Sequence, residues 1–298
     1  MFEISDDYTP RPPRVKPVAP DTLSEQIIFY VLGISALSLG GVACRMALLE
    51  CVSDNYFFQS STVVTANAIG SFIMGILFGC IEYSKQFPYT FFGLTVGFCG
   101  SFTTFSSWMN SVVNDSEPVV QCFTGLTIPF TVFIVGADIG SSFSVPKFLP
   151  VTARGIDRGI VSCLALVGVL VMVAIAATID PGATISNGDL ISVGLGPIGA
   201  LMRFGLSRWL NPVWPNQFML GTFVANMVAV IVTGGLTHCA NGDNWCDYTE
   251  TGICGSLSSV SSWVLDTVQI YKKSRPWAYF YCLFSVGVGI AIMIPFKQ

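Results

Sequence analysis

A glycine-interrupted apolar phrase occurs twice in this chain. Gly97-Phe-Cys-Gly-Ser-Phe-Thr-Thr-Phe-Ser-Ser-Trp-Met109 returns as Gly252-Ile-Cys-Gly-Ser-Leu-Ser-Ser-Val-Ser-Ser-Trp-Val264, with seven of thirteen positions identical and both Thr replaced by Ser. The hydroxyls therefore survive the duplication. Paired, glycine-broken segments in two halves of a membrane chain point to a transport site between repeats. Backbone that leaves the helix inside a bilayer must be buried in protein or line a cavity, because hydrocarbon cannot satisfy its polar groups. Carbonyls freed at such a break can coordinate a cation. The alternative is a close helix crossing at small residues, against which stand the hydroxyls directly behind each glycine.

Composition makes this a membrane chain. Of 298 residues, 52% are hydrophobic and 11% charged, against about 25% charged in an average soluble domain. Apolar stretches of bilayer length, about 20 residues, run near 27–49, 61–81, 89–112, 119–140, 160–179, 190–210, 218–239, 249–271 and 277–296. The expected fold is an all-α polytopic membrane protein with nine transmembrane helices.

Charge placement orients it. Alternate connections carry Arg11, Arg14 and Lys16, then Lys85, then Lys147, Arg154 and Arg158, then Arg208, then Lys272, Lys273 and Arg275. The connections between them carry Glu50 and Asp54, Asp115 and Glu117, Asp180 and Asp189, then Asp243, Asp247 and Glu250. The positive-inside rule puts the N-terminus in the cytoplasm and, with an odd number of crossings, the C-terminus outside. Residues 1–24 are polar and proline-rich and read as a disordered cytoplasmic tail. No signal peptide is expected.

The remaining chain divides into a four-helix repeat (25–145), a linker with one helix (146–187) and a second four-helix repeat (188–298). Arg45 matches Arg203, Asn67 matches Asn226 and Gly97 matches Gly252, at offsets of 158, 159 and 155 residues. The linker helix near 160–179 is rich in Val, Ala, Leu and Ile, without charged or polar function of its own. Four crossings return the chain to its starting side, so one extra crossing inverts the second repeat. The expected architecture is two inverted four-helix repeats, the third helix of each broken.

Several groups carry candidate chemistry. Asn67 and Asn226 lie mid-span, and a buried amide offers two N–H donors to a dehydrated anion; interhelical bonding is the structural alternative. Phe102, Phe105 and Trp108 flank the first break, with Leu257, Val260 and Trp263 at the second. Ring edges are positive and suit an anion, whereas core packing suits the same residues equally. Thr127 and Thr131 share a helix face, with Thr124 near, and Tyr281 and Ser285 do so in the second half. They form a hydroxyl stripe for an ion or bond their own backbone. Arg45 and Arg203 either concentrate anions in a vestibule, the role expected here, or snorkel to headgroups.

Absences narrow the class. Asp138 and Asp266 lie towards helix ends, leaving no carboxylate at a span centre, although proton-coupled transport commonly needs one. The one histidine, His238, sits at a helix end, and no acid–base pair or zinc spacing suggests an enzyme. Cys239 and Cys246 share an external loop and are candidates for a disulfide, while Cys99 and Cys254 read as small packing residues.

Gly40-Gly-Val-Ala-Cys-Arg45, Gly196-Pro-Ile-Gly-Ala-Leu-Met-Arg203, Asn67 with Gly70-Ser71, and Gly97-Phe-Cys-Gly-Ser-Phe-Thr-Thr-Phe105 resemble the Fluc/FEX (CrcB-type) fluoride channels over about residues 25–296. The two-repeat form is similar to the fused, eukaryotic version. The resemblance implies a passive plasma-membrane fluoride channel that protects the cell, working as a monomer in the lipid bilayer, with no nucleic acid or organic cofactor. It implies a central structural Na⁺ held by carbonyls of Gly100, Thr103, Gly255 and Ser258, and pore amides from Asn67 and Asn226. The family's pore phenylalanines fall on Phe105 and Trp108 in one half and Val260 and Trp263 in the other. Only Phe105 keeps the residue type, so one competent and one degraded pathway are expected. A proton-coupled fluoride or small-anion carrier is the alternative.

Overall fold

The structure, a computed structural model, describes residues 22–53, 62–143, 150–178, 186–239 and 244–298, the side chains of 53, 150–152, 175–178, 186–188 and 238–239 excepted. The expected tail, apart from residues 22–24, and the side chains of His238 and Cys239 lie outside that description. The described residues are helical apart from short connections. Nine helices are used below: α1 (Leu23–Ser53), α2 (Thr62–Gly79), α3 (Phe105–Asn114), α4 (Pro118–Ser141), α5 (Pro150–Thr178), α6 (Ser186–Leu210), α7 (Leu220–Cys239), α8 (Val260–Tyr271) and α9 (Arg275–Met293). Among the described residues, seven helical stretches are long and apolar enough to cross a membrane: Leu23–Val52, Thr62–Gly79, Pro118–Ser141, Ala153–Ala174, Asp189–Val213, Leu220–Thr237 and Arg275–Phe296. The two expected spans outside that set are the ones containing the repeated phrase.

Both are broken alike. The first begins as Pro88–Phe92, widens into a π-helical run Gly93–Cys99, makes one turn at Gly100–Phe102 and then unwinds. Thr103 and Thr104 are extended, at φ/ψ of −102°/150° and −140°/124°, before α3 starts. The second runs through Asn244–Thr249, π-helical Glu250–Cys254 and Gly255–Leu257 to Ser258 and Ser259, at −92°/148° and −152°/121°, before α8. Its helical part begins at Asn244, five residues earlier than the span expected from 249. The N-cap oxygens of Thr104 and Ser259 accept the N–H of Ser107 and Ser262 at 3.3 and 3.1 Å, so each new helix starts on a hydroxyl cap.

Contacts at the bundle ends fix the direction of these pieces. The backbone N–H of Gln298, past α9, donates to Asn114 Oδ1 at the end of α3 (2.9 Å), and its side chain donates to the Thr237 carbonyl late in α7 (3.0 Å). At the other end of α9, Lys272 just past α8 lies 4.3 Å from the ring centre of Phe78, near the end of α2. The 19 residues of α9 extend about 28 Å at 1.5 Å per residue. Thus α3 and α8 finish at opposite ends, as do α2 and α7.

The linker helix α5 is more than an apolar crossing. Leu166, Val167, Val169, Leu170 and Val173 are exposed, as a lipid-facing surface requires. Near its start, however, Asp157 is fully buried. Its carboxylate accepts the N–H groups of Tyr89 and Thr90, both at 2.9 Å, and the Thr90 hydroxyl at 2.6 Å. A negative charge there satisfies the free N–H groups at the start of Pro88–Phe92 and complements its dipole. The helix starts at Pro150, earlier than the expected 160, and Asp157 lies in that added stretch, outside the apolar segment read from sequence.

Candidate functional site

The breaks meet at the centre, each supplying a cap to the other's helix. Thr103 Oγ1 accepts the Ser261 N–H at 3.1 Å and lies 3.0 Å from Ser261 Oγ and 3.1 Å from Ser259 Oγ. Reciprocally, Ser258 Oγ accepts the N–H of Phe105 (3.2 Å) and Ser106 (3.1 Å) and lies 3.1 Å from Ser106 Oγ and 3.3 Å from Thr104 Oγ1. Thr103 and Ser258 also donate to the Cys99 and Cys254 carbonyls one turn back, at 3.1 and 3.0 Å. Such mutual contact between equivalent residues is what a two-fold arrangement produces. Ser106, Ser259 and Ser261 were not among the sequence candidates, although retention of hydroxyls through both copies was the signal.

Asn67 and Asn226, both fully buried, sit against these breaks. Asn67 accepts the Thr104 N–H (2.9 Å) and donates Nδ2 to the Thr104 carbonyl (3.1 Å). Asn226 accepts the Ser259 N–H at 2.9 Å, while its Nδ2 makes no hydrogen bond. The two amides therefore divert the donors that a continuous helix would return to Gly100 and Gly255. The caps divert two more, since Ser107 and Ser262 turn to Thr104 and Ser259 hydroxyls instead of the carbonyls of Thr103 and Ser258. The four carbonyls named from sequence are among those that lose their helical donors; those of Ser101, Phe102 and Leu257 lose theirs as well, because the N–H groups of Phe105, Ser106 and Ser261 turn to the opposing hydroxyls. Gly255 O accepts one bond from Arg45, at 2.9 Å, which leaves a lone pair. Neutral oxygens of this kind suit a hard monovalent cation, so these residues fit the expected Na⁺.

Arg45 and Arg203 are each 2% exposed and neither snorkels. Arg45 donates to the carbonyls of Gly255 and Thr251 in the opposite repeat. Arg203 donates Nη2 to the Val96 carbonyl of the first repeat (2.8 Å), Nε to Ser256 O (3.0 Å) and Nη1 to Ser262 Oγ (3.1 Å). A Cβ at Gly100 would fall on the Arg203 guanidinium and one at Gly255 on that of Arg45, which explains both glycines. Both cations wall cavities, and their hydrogens also hold the opposing π-helical segment.

The two sides differ. The inward face of α9 carries Tyr281 and Ser285, exposed by 0% and 1%. Ser285 Oγ donates to the Tyr281 carbonyl at 2.6 Å, and the Tyr281 hydroxyl has no partner. Phe105 sits beside Gly289 on that face. On α4 the buried face is Gln121, Gly125, Pro129, Phe133, Gly136 and Gly140. Thr127 and Thr131 are on the other side, bonded to the carbonyls of Phe123 and Thr127 at 2.8 and 2.9 Å, and Thr124 bonds Val120 O at 2.7 Å. A helix surrounded by lipid satisfies hydroxyls this way. The hydroxyl stripe expected on α4 is therefore absent from the interior.

Aromatic rings fill the centre. Phe105 lies 5.5 Å from Trp108 and 5.7 Å from Trp263, and Phe130 lies 5.3 Å from Trp263 (centroid distances). Trp108 donates Nε1 to the Gln121 carbonyl at 3.1 Å, whereas Trp263 Nε1 has no partner. Phe102 stacks on Phe98 at 5.7 Å, and Leu257 and Val260 are buried.

Cavities open unequally towards the breaks. At the Lys272 end, one of about 420 Å³ is lined by Thr95, Val96, Asn211, Thr222, Ser262 and Asp266 among others. An adjoining one of about 280 Å³ includes Arg203. At the opposite end, Arg45, Thr104, Ser107, Glu250 and Thr251 enclose about 60 Å³. Asp266, expected at a helix end, instead lines the larger cavity.

Comparison with known proteins agrees with the duplicated site. The family described as CrcB-like protein, Camphor Resistance (CrcB), matches residues 32–140 and again 190–295. Fluoride export protein 1 of Candida albicans is 25% identical over 307 aligned positions, covering 88% of this chain and 77% of that protein. Fluoride export protein 1 of Neurospora crassa is 30% identical over 246 positions, covering 68% of this chain but only 46% of its relative. Fluoride-specific ion channel FluC 2 of Symbiobacterium thermophilum is 29% identical over 102 positions, 33% of this chain and 80% of that protein. No solved structure matches the chain significantly. Two matched segments, each with its own broken helix and flanking asparagine, make this chain a member of the CrcB family.

Proposed function

We propose that the protein is a passive, selective fluoride channel, not an enzyme, which exports F⁻ across the plasma membrane and so confers fluoride resistance. Family membership and relatives named for fluoride export support the reading. The observation that carries it is the unpartnered Nδ2 of Asn226, a neutral donor buried beside a helix break. Leaving such a group unmade costs about 1–3 kcal/mol, which a dehydrated anion would recover.

The conducting path runs past Asn226, Phe105, Tyr281 and Ser285, where N–H, O–H and ring edges replace water. Its counterpart at Asn67 is degraded, because that amide is spent on Thr104 and the matching face of α4 offers Gly125, Pro129 and Phe133. A structural Na⁺ held by Gly100, Thr103, Gly255 and Ser258 carbonyls would pin the two breaks together, without being transported.

Nine crossings form two inverted four-helix repeats (25–145 and 188–298) around the linker (146–187), so the fused chain works as a monomer. The N-terminus is cytoplasmic and the C-terminus extracellular. HF formed in an acidic exterior enters and ionises in the cytoplasm, and the membrane potential, about 2.3 kcal/mol per charge per 100 mV, assists export. Fluoride efflux from liposomes carrying the purified chain tests this. Rates beyond carrier turnover, indifferent to a proton gradient, are expected and separate a channel from a proton-coupled carrier. Chloride movement without fluoride movement refutes the proposal.

A further inference from the structure

We propose that Asp266 restrains anion entry at the mouth of the Asn226 pathway, an inference that rests on the channel function above. Asp266 is the only acidic side chain among the described residues lining the cavity of about 420 Å³ between the repeats. Its Oδ2 is buried without a hydrogen-bond partner, so no donor quenches the charge on that oxygen. Thr222 lines the same cavity and stands four residues before Asn226, on the same face of α7. An anion moving from this cavity to the free amide therefore passes the carboxylate.

Thr222 hydrogen-bonds the carboxylate, a neutral contact, and no charged side chain among the described residues pairs with it directly. Arg203 of α6 lies within electrostatic reach, but its three hydrogen bonds go to Val96 O, Ser256 O and Ser262 Oγ. Tyr281 of α9 is also within reach and carries a hydroxyl with no partner. Just past α8, Lys272 sits over Phe78, which lines the cavity. At the rim, Glu82 and Lys85 pair with each other at 2.7 Å. The mouth thus holds Arg203, which draws anions in, opposed by Asp266, which repels them. Opposed charges keep a vestibule from accumulating anions indiscriminately.

The first repeat has Ser111 at the position 155 residues earlier, the same offset that relates the two broken phrases. A carboxylate is therefore not required to build this helix. Neutralising it, by substitution or by a proton, should speed entry.

The test is initial fluoride efflux from liposomes containing the full chain, with the leak of protein-free vesicles subtracted. Asp266→Asn and Asp266→Ser are compared with wild type and with Asp266→Glu; the serine variant copies the other repeat in case the amide folds poorly. Near neutral pH both neutral variants should run at least about threefold faster than wild type, and Asp266→Glu should stay slow. At mildly acid pH wild type should approach the variants, whose own rates stay flat. Neutral variants at or below the wild-type rate near neutral pH overturn the inference while leaving the channel intact. A wild-type chain that moves no fluoride overturns the channel reading itself.

Discussion

The Thr103 hydroxyl accepts the backbone N–H of Ser261 at 3.1 Å, so a residue of one repeat caps a helix of the other. Ser258 returns the contact at Phe105 and Ser106. The centre is consequently a mutual polar lock, in which neither repeat satisfies its own break without its partner. In a low-dielectric interior such a network is strong when complete and costly when one member is lost.

Replacing Asn67 or Asn226 by Ala should separate structure from conduction. Each removes the acceptor of a break N–H, so both variants should unfold more easily, by roughly 1–3 kcal/mol. Only Asn226→Ala should also lose at least about tenfold in fluoride efflux, because it alone removes a free donor. Equal losses of flux would contradict a single pathway.

Tyr281→Phe should reduce flux without loss of stability. The hydroxyl is buried and unpaired, so its removal relieves a desolvation cost of about 1 kcal/mol or more. Thermal unfolding in detergent should match or exceed wild type while efflux falls. Thr131→Val, on the outward face of α4, should leave efflux unchanged.

Gly100→Ala should fail through Arg203. The added methyl falls on a guanidinium held by three hydrogen bonds, and overpacking typically costs about 1–3 kcal/mol. Arg203→Ala should recover part of that loss in a double-mutant cycle read by thermal unfolding. An additive pair would mean that the two sites are not coupled.

Asp157→Ala should weaken the start of the first broken helix by about 1–2 kcal/mol, the usual range for a lost cap. Asp157→Asn keeps one acceptor and should lose less. Limited proteolysis at the connection around Phe87 measures both.

Much of this was legible because glycine and hydroxyl residues inside an apolar span have few other uses. Gly97, Gly100, Gly252 and Gly255 marked the segments in which the helices break. What escaped was long-range partnership. Asn67 is buried, and its bond to Thr104 spans 37 residues, which no local pattern encodes. Thr127 and Thr131 shared a face as their spacing required; a helix apolar all round does not say which face turns inward. Asp266 was read as lying towards a helix end, and Asp157 was not singled out at all; only tertiary packing lines a cavity with the first and buries the second.

The bonds from Asp157 to Tyr89 and Thr90 join positions separated by 68 and 67 residues. A nascent chain must therefore lengthen well past α4 before the segment beginning at Pro88 acquires its anchor. Until then the first repeat waits, part-assembled, in the lipid. The inverting helix acts as a latch as well as a crossing.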